Sequence, residues 1–353
     1  MLRFTYEALP GRVIFGVGSL ARLSEEIARL GANRALVLST PEQRDQAADA
    51  AQRLGKRAAG IFDRAMMHVP IKTAEDARNE AKRLGADCCV TVGGGSTTGL
   101  GKAIALVSEL PILAVPTTYA GSEMTPIWGL TEGGVKKTGR DSRVLPKTVI
   151  YDPDLTLSMP PSLSGTSGIN AVAHCVEALY AEDANPIISM MAEEGIRALA
   201  RSLPVVVKQP RNLDARTDAL YGAWLAGASL GAVGMALHHK LCHTLGGTFN
   251  LPHAETHTAV LPHAAAYNSE TAKDAMERVA RALGAPTASG GLFDLGVSVG
   301  AKMALRELGL QAGDLDRAAD LAVENPYYNP RPITREAIRS LLEDAFEGRR
   351  PLV

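Results

Sequence analysis

Between residue 34 and about residue 153, the chain alternates short apolar runs with longer segments of helical spacing. The segments 41–55, 71–86 and 96–109 carry apolar residues three and four positions apart, as amphipathic helices do. Short strands separated by helices of this length predict βαβ units around a parallel sheet. The runs with the length and composition of buried strands are "RALVLS" (34–39), "AAGIFD" (58–63), "CCVTVGG" (88–94), "ILAVPTT" (112–118) and "TVIYDP" (148–153).

The pattern changes after "YDPDLTLSMPPSLSGTSG" (151–168). From there to the C-terminus strand signals nearly vanish, and segments rich in Ala and Leu have helical spacing. The change predicts an α/β domain of the nucleotide-binding kind over residues 1–160, followed by an all-helical domain over residues 161–353.

Composition and charge narrow the classes of function. The chain has 353 residues, 46% of them hydrophobic, and a formal net charge of −1, which gives no electrostatic support for nucleic acid or an anionic membrane as a partner. The apolar stretch "LYGAWLAGASLGAVGMAL" is rich in Gly and Ala and runs into polar residues, so no membrane span is expected. Four cysteines without CxxC spacing, and no signal peptide at the N-terminus, indicate a cytoplasmic protein.

A glycine-rich turn, "VTVGGGSTTGLGK" (90–102), lies where a predicted strand meets a predicted helix. Gly93, Gly94 and Gly95 let the backbone approach a ligand, and the amides from Ser96 onward favour an anion such as a pyrophosphate. The next strand ends in "VPTTYAGSE", which places Thr117 and Thr118 at the same sheet edge, where open α/β sheets bind their ligands. A dinucleotide is the expected ligand, although an ordinary tight turn has the same composition.

Seven of the eight histidines fall between residues 174 and 263. Residues four apart share a helix face, as Asn170 and His174 do, and as His239 and His243 do. With His253 after the next turn, these side chains are predicted to line one pocket, because buried polar side chains are costly unless they are paired or used. A single histidine is more often structural, which is the interpretation given to His68, His238, His257 and His263.

Several motifs together resemble the iron-type alcohol dehydrogenases, and among them the maleylacetate reductases. The resemblance covers essentially the whole chain, and it implies the dehydroquinate synthase-like fold with an active site in a cleft between two domains, and a homodimer. It rests on "VIFGVGSL", "GGGSTTGLGK", "PTTYAGSE", "YDPDLT", "GINAVAHCVEA", "HKLCHTLGGTFNLPHAETHTAVLPH" and "NPRPITREAI".

The chain departs from the wider family at its metal site. The resemblance places Asn170 where metal-binding members carry an acidic residue, with His174, His239 and His253 completing the set. An amide leaves the charge of a divalent cation unneutralised, so a metal is not expected to be required; any metal that binds would use those three histidines. Gly99 and Tyr119 also differ from the wider family, and Tyr119 is expected in the substrate pocket.

The expected cofactor is NADH or NADPH. Ser39 and Thr40 stand where NAD-preferring relatives have an acidic residue, and with Arg44 nearby nothing in the sequence repels a 2′-phosphate. Lys137 resembles a family lysine that contacts the cofactor. Its segment "GGVKKTGRDSR" is expected to be a charged loop, from which Arg140 is a candidate to bind a substrate carboxylate.

The resemblance implies that maleylacetate, a small dicarboxylate, is reduced at its carbon–carbon double bond to 3-oxoadipate in the breakdown of aromatic compounds. His243 is the candidate for proton transfer or enolate stabilisation beside the nicotinamide, while His174, His239, His253 and Asn170 bind the substrate. The alternatives are a metal-dependent alcohol or polyol dehydrogenase of the same superfamily, a zinc hydrolase and a non-catalytic nucleotide-binding protein.

Overall fold

A computed structural model describes residues 4–9, 11–133, 135–324 and 327–353. The chain divides into two compact units, one spanning residues 8–159 and the other spanning residues 160–353. Residues 4–7 group with the second unit, whereas the sequence-based division had assigned them to the first. We call the two units the α/β unit and the helical unit.

The α/β unit is built on a six-stranded parallel sheet. Its strands are β1 Arg12–Phe15, β2 Ala35–Leu38, β3 Ala58–Phe62, β4 Cys88–Gly93, β5 Ile112–Pro116 and β8 Thr148–Tyr151, in the order β1-β8-β5-β4-β2-β3. All five strands predicted from the apolar runs are present, and within this sheet sequence analysis missed one strand, β1. Strands β2, β4, β5 and β8 are buried along their whole length, which explains why they lack polar alternation.

The segment expected to be a charged loop forms part of a β-hairpin. β6 (Ile127–Glu132) and β7 (Val135–Arg140) pair antiparallel, so that Ile127 lies opposite Arg140. The expectation was wrong because strands were predicted from apolar runs, and β7 has none. Backbone pairing with β6 does not require such a run.

The helices of the α/β unit are α1 Leu23–Arg29, α2 Arg44–Leu54, α3 Ile71–Arg83 and α4 Gly95–Ser108. Lys102 lies on α4 and is fully buried. Its amino group shares its N–H donors among the carbonyl oxygens of Ser122, Thr125 and Ile127 at 2.7–2.8 Å and the hydroxyl of Thr125 at 2.9 Å. Burial lowers the pKa of Lys102 to about 7, and these acceptors hold the group, so Lys102 fixes the segment after β5 against α4.

The helical unit contains helices and no strand among the residues that the structure describes. Its helices are α5 Pro161–Leu179, α6 Pro186–Lys208, α7 Leu213–Ala232, α8 Leu237–Phe249, α9 His253–Asn268, α10 Lys273–Leu283, α11 Ala288–Ser298, α12 Leu315–Val323 and α13 Arg335–Glu347. Helix α5 is central, since every residue from Ser164 to Leu179 is buried. Helix α8 ends at Phe249 because the next residue, Asn250, has a left-handed backbone (φ 54°), and Pro252 precedes the start of α9.

Among the described residues, no single helix has the length and apolar character needed to cross a membrane. Helices α7 and α8 together meet that criterion by length and composition only, and they are bent by 95° at the break between them.

Acid should destabilise the helical unit through His263, which lies on α9 with 4% of its surface exposed. Burial lowers the pKa of His263 to about 4. An unfolded histidine binds its proton near pH 6.5, so the unfolded state holds more protons between pH 6.5 and about 4, and the free energy of unfolding falls as the pH drops through that range. His263 accounts for about 3 kcal/mol of this fall in the free energy of unfolding.

Urea unfolding between pH 7 and pH 4 measures this dependence. We expect a shallower fall in stability for His263→Gln than for the wild type, and an unchanged fall for His68→Gln, since His68 is exposed. Identical pH profiles for wild type and His263→Gln would contradict the assignment.

Candidate active site

The glycine turn joins β4 to α4 in the α/β unit. Gly93 has φ +153°, a backbone conformation that side chains other than glycine rarely adopt. Its carbonyl accepts a hydrogen bond from the backbone N–H of Thr117 at 3.1 Å, which holds the end of β5 beside the turn. A Cβ atom at Gly94 would lie 2.8 Å from Oγ1 of Thr118. The turn therefore requires glycine at both positions.

The N-terminus of α4 is open to an anion. No side chain caps this helix, which begins at Gly95, so the amides of Gly95 and Ser96 have no side-chain acceptor. Free N–H groups and the positive end of the helix dipole together favour a phosphate at this place.

Buried hydroxyl groups without a hydrogen-bond partner surround the same sheet edge. They belong to Ser39 at the end of β2, Thr91 on β4 and Thr97 in the first turn of α4. Gln43 lies beside them and donates its amide hydrogen to the hydroxyl of Thr117. Sequence analysis missed Gln43, although its position just after Ser39 and Thr40 was a usable signal. Unsatisfied buried hydroxyls of this kind are typical of a site that a ligand completes.

The other predicted site residues of the α/β unit differ from one another in burial. Tyr119 is fully buried after β5, whereas Lys137 and Arg140 lie exposed on β7. The ammonium of Lys137 is 3.0 Å from a carboxylate oxygen of Glu132. Arg44 is 3.2 Å from Asp63, which sequence analysis did not identify as its partner.

The predicted histidine pocket is built on three helices of the helical unit. Asn170, His174 and Glu177 lie on one face of α5, since their spacing of four and three residues matches the helical repeat. His239 and His243 lie on α8, and His253 is the first residue of α9. Sequence analysis missed Glu177, even though the spacing from Asn170 and His174 places it on the same face.

Glu177 links α5 to the beginning of α8. Its carboxylate accepts backbone hydrogen bonds from Ala236 at 3.0 Å, from His238 at 2.7 Å and from His239 at 3.4 Å. It also lies 2.6 Å from Nδ1 of the His239 ring. A carboxylate at a helix N-terminus satisfies otherwise unpaired amides and complements the helix dipole. Nδ1 of His239 therefore carries a proton, and in the neutral ring Nε2 carries a lone pair.

The imidazole rings form one continuous cluster. The rings of His174 and His239 stack with centroids 5.1 Å apart, and the ring of His243 is 6.2 Å from that of His239. His257 lies between the other members, 4.9 Å from His239 and 4.4 Å from His253. The structure thus brings the predicted histidines together through His257, which the sequence had suggested was an ordinary structural residue.

Four polar atoms of this cluster are buried without a hydrogen-bond partner. They are Oδ1 of Asn170, Nδ1 of His174, Nε2 of His239 and Nε2 of His257. Burial, and then the neighbouring imidazoles, lowers the pKa values of His174 and His257 well below the usual value for histidine. These two rings are therefore neutral near pH 7. Neutral, unpaired donors and acceptors in one place indicate a binding site for a polar ligand.

The donor set fits a divalent metal poorly. Asn170 offers a neutral amide oxygen, and the predicted ligands His174, His239 and His253 are imidazoles, so no carboxylate neutralises the charge of a cation. In the described part of the chain, the three groups whose possible ligand atoms all lie within 4.8 Å of one another are His238, Cys242 and His257. Two of those nitrogens, Nε2 of His238 and Nδ1 of His257, already bond each other at 2.9 Å.

Comparison with known proteins places the chain in a family. The profile described as iron-containing alcohol dehydrogenase matches residues 10–153, and the profile of the C-terminal part of the Fe-containing alcohol dehydrogenase family matches residues 164–346. A maleylacetate reductase of Burkholderia cepacia is 62% identical over 351 residues, which cover 99% of this chain and 100% of the relative.

Solved structures agree with the sequence relatives. The crystal structure of maleylacetate reductase from Agrobacterium tumefaciens is 56% identical and superposes with a TM-score of 0.97, covering 99% of this chain and 100% of that one. The enzyme of the same name from a Rhizobium strain is 54% identical, with a TM-score of 0.96 and the same coverage. The chain therefore belongs to the iron-containing alcohol dehydrogenase family and, within that family, to the maleylacetate reductases.

Proposed function

We propose that this chain reduces the carbon–carbon double bond of maleylacetate with a reduced nicotinamide dinucleotide and forms 3-oxoadipate, a step in the breakdown of aromatic compounds. The relatives that match over the full length carry that name. The observation that carries the proposal is the group of four unpartnered polar atoms among buried, largely neutral side chains. Such a site suits a reaction in which charge appears on a substrate oxygen only as the hydride is transferred.

A bound reduced nicotinamide would supply the hydride for the alkene carbon β to the ketone, and the electron pair of the double bond would move toward the ketone oxygen to form an enolate. Protonation of the α-carbon then completes the reduction. The protein must bind the dinucleotide, donate hydrogen bonds to the enolate oxygen and supply one proton. The glycine turn and the open N-terminus of α4 are assigned to the pyrophosphate, together with Gly93, Gly94, Gly95 and Ser96.

His243 is assigned to proton transfer, because it is exposed and its ring lies 6.2 Å from that of His239. His239 differs from a simple substrate ligand. In the neutral state it presents a lone pair at Nε2, and when protonated it forms an ion pair with Glu177 and presents an N–H at the same atom. A ring held by a carboxylate in this way can take up and release a proton without turning.

His174, His253 and Asn170 are assigned to substrate binding, as are Tyr119 and Arg140. The substrate is a dicarboxylate, and it needs cations such as the exposed guanidinium of Arg140. Lys137 is assigned to the cofactor, for which it would have to leave Glu132, and an exposed ion pair of this kind costs about 0–1 kcal/mol to break.

We propose that the enzyme uses both NADH and NADPH. Ser39 and Thr40 place no carboxylate at the end of β2, and Arg44 can accept a 2′-phosphate in exchange for its exposed ion pair with Asp63. The buried, free cysteines agree with a reducing compartment, which supports the proposed cytoplasmic location. The proposed homodimer follows from the family alone.

We propose further that the reaction proceeds without a metal ion, since neutral donors provide the hydrogen bonds and no carboxylate stands at Asn170. The rival function is a metal-dependent alcohol or polyol dehydrogenase. Its support is the family relationship and the Glu177–His239 pair, because metal-ligating histidines commonly donate their other nitrogen to a carboxylate.

The deciding assay is NADH oxidation with maleylacetate on protein treated with a chelator, with the residual metal measured by mass spectrometry. We expect turnover to persist in the stripped protein, and to be absent with simple alcohols and aldehydes. Loss of activity that stoichiometric iron or zinc restores would favour the metal-dependent alternative. Unchanged NADH fluorescence on mixing would exclude a dinucleotide enzyme.

His243→Ala should lower kcat by about 100-fold, the lower end of acid–base contributions, without weakening NADH binding. Stopped-flow turnover and fluorescence titration with NADH separate the two effects. Thr244→Ala is the matched control, since its hydroxyl only bonds the carbonyl of Lys240 on the same helix. Near-normal turnover of His243→Ala would remove His243 from the mechanism.

Gly94→Val should raise the Kd for NADH at least about tenfold, or about 1.4 kcal/mol, because the new side chain would press against Thr118 and displace the turn. Gly313→Val is the control, since a Cβ atom there meets nothing within 4 Å. A folded Gly94→Val protein that binds NADH with wild-type affinity would mean that the turn does not hold the cofactor.

A further inference from the structure

The connections of the parallel sheet create a crevice between β2 and β4. These two strands are neighbours, but the helices that follow them pack on opposite faces of the sheet. Ala47 and Leu54 of α2 share one hydrophobic cluster with α1, whereas Leu100 and Ile104 of α4 share another with α3. Where adjacent strands have connections on opposite faces, an open α/β sheet binds its ligand outside their carboxyl ends.

The side chain of Gln43 lies across this part of the sheet edge. Gln43 follows β2 in the chain, and its amide N–H group donates to the hydroxyl of Thr117, which follows β5. A Cβ atom at Gly93, the last residue of β4, would lie 2.5 Å from Oε1 of Gln43. Since β4 stands between β2 and β5 in the sheet, the side chain of Gln43 passes over the carboxyl end of β4.

The groups around Gln43 are arranged for a ligand. The hydroxyls of Ser39 at the end of β2 and of Thr97 on α4 are buried without a hydrogen-bond partner. The pyrophosphate of the cofactor is assigned to the N-terminus of α4, and in folds of this kind the adenosine ribose lies at the end of the second strand. A dinucleotide that extends from α4 to the end of β2 therefore passes Gln43.

Both side chains that meet over β4, those of Gln43 and Thr117, are uncharged. An amide has two N–H donors and one acceptor oxygen, and Thr117 uses one of those donors. The remaining donor and the oxygen can bond a ribose hydroxyl, and the same donor can bond an oxygen of a 2′-phosphate. A carboxylate in this place would still accept from the hydroxyl, but it would repel the phosphate.

We propose, on the basis of the proposed function, that Gln43 contacts the adenosine ribose of the cofactor and determines the selectivity between NADH and NADPH. Its amide binds a 2′-hydroxyl and a 2′-phosphate alike, so that the enzyme accepts both dinucleotides. Gln43 acts from the segment that follows β2, and it is a specificity-determining residue rather than a catalytic one.

Fluorescence titration of the full-length protein with NADH and with NADPH measures this selectivity as the ratio of the two Kd values. Gln43→Glu keeps the shape of the side chain, and the hydroxyl of Thr117 can donate to the new carboxylate. We expect the Kd for NADPH to rise at least about tenfold relative to that for NADH, because like charges then face each other. A ratio equal to that of the wild type would overturn the proposal.

A change of the opposite sign separates contact with the ribose from a structural role. Gln43→Lys places a cation at the same position, so the ratio of Kd values should shift toward NADPH. If Gln43 served only to hold Thr117, both substitutions would weaken NADH and NADPH by the same factor, and that result would contradict the proposal. Thermal unfolding checks that each variant is folded.

Two control variants change the charge elsewhere on the same segment. Gln52→Glu adds an exposed carboxylate about 13 Å further along α2, beyond the screening length of about 8 Å, so it should leave the ratio unchanged. Glu42→Gln removes the exposed carboxylate next to Gln43 and should change the ratio less than Gln43→Glu does. A larger shift for Glu42→Gln would assign the selectivity to Glu42 instead.

The titrations contain no substrate, so they test Gln43 separately from the reaction. Wild-type protein that binds both dinucleotides but does not oxidise them with maleylacetate would disprove the proposed function and leave the assignment of Gln43 in place. Wild-type protein that reduces maleylacetate with NADH but does not bind NADPH would overturn the assignment of Gln43 and leave the reaction in place.

Discussion

The buried carboxylate of Glu177 is the constraint on which the imidazole cluster depends. It is fully buried, and removing a carboxylate from water costs several kcal/mol unless donors surround it. The N-terminal amides of α8 and the ring of His239 supply those donors, and each hydrogen bond to a charged group returns about 1.5–3 kcal/mol. The same contacts fix the start of α8 against α5 and orient His239. The carboxylate of Glu177 therefore sets both the position of α8 and the ring nitrogen of His239 that carries the hydrogen.

Two buried hydrogen bonds engage ring nitrogens of the cluster. Glu177 holds the N–H of His239, and Nδ1 of His257 is bonded to Nε2 of His238. The amide at Asn170 adds no charge. We propose that the neutral groups of the cluster act as dipoles that stabilise a transient enolate, while the buried charge of Glu177 is satisfied by its own donors. We propose that the cations that a dicarboxylate requires come from exposed residues such as Arg140.

The glycine turn follows a different principle, because backbone geometry rather than side-chain chemistry decides it. Gly93 and Gly94 allow β4 to pass into α4 against the end of β5, and the uncapped helix leaves amides for an anion. A local sequence pattern can predict such a turn, since the strand, the glycines and the helix are consecutive in the chain. Sequence analysis accordingly placed Gly93, Gly94, Thr117 and Thr118 at this edge, but it did not single out Gln43, Thr91 or Thr97.

Sequence alone predicted most of the elements and the shared helix faces. The apolar runs predicted five of the six strands of the parallel sheet, and helical spacing placed Asn170 with His174, and His239 with His243, on shared faces. Local patterns could not show that Glu177 caps α8, or that His257 bonds His238, since these contacts join residues 19 to 62 positions apart. Only the packing of α5, α8 and α9 decides which ring nitrogens are paired and which are left without a partner. Tertiary structure decides this because the tautomer of a histidine depends on its neighbours in space, and residue type and spacing do not encode it.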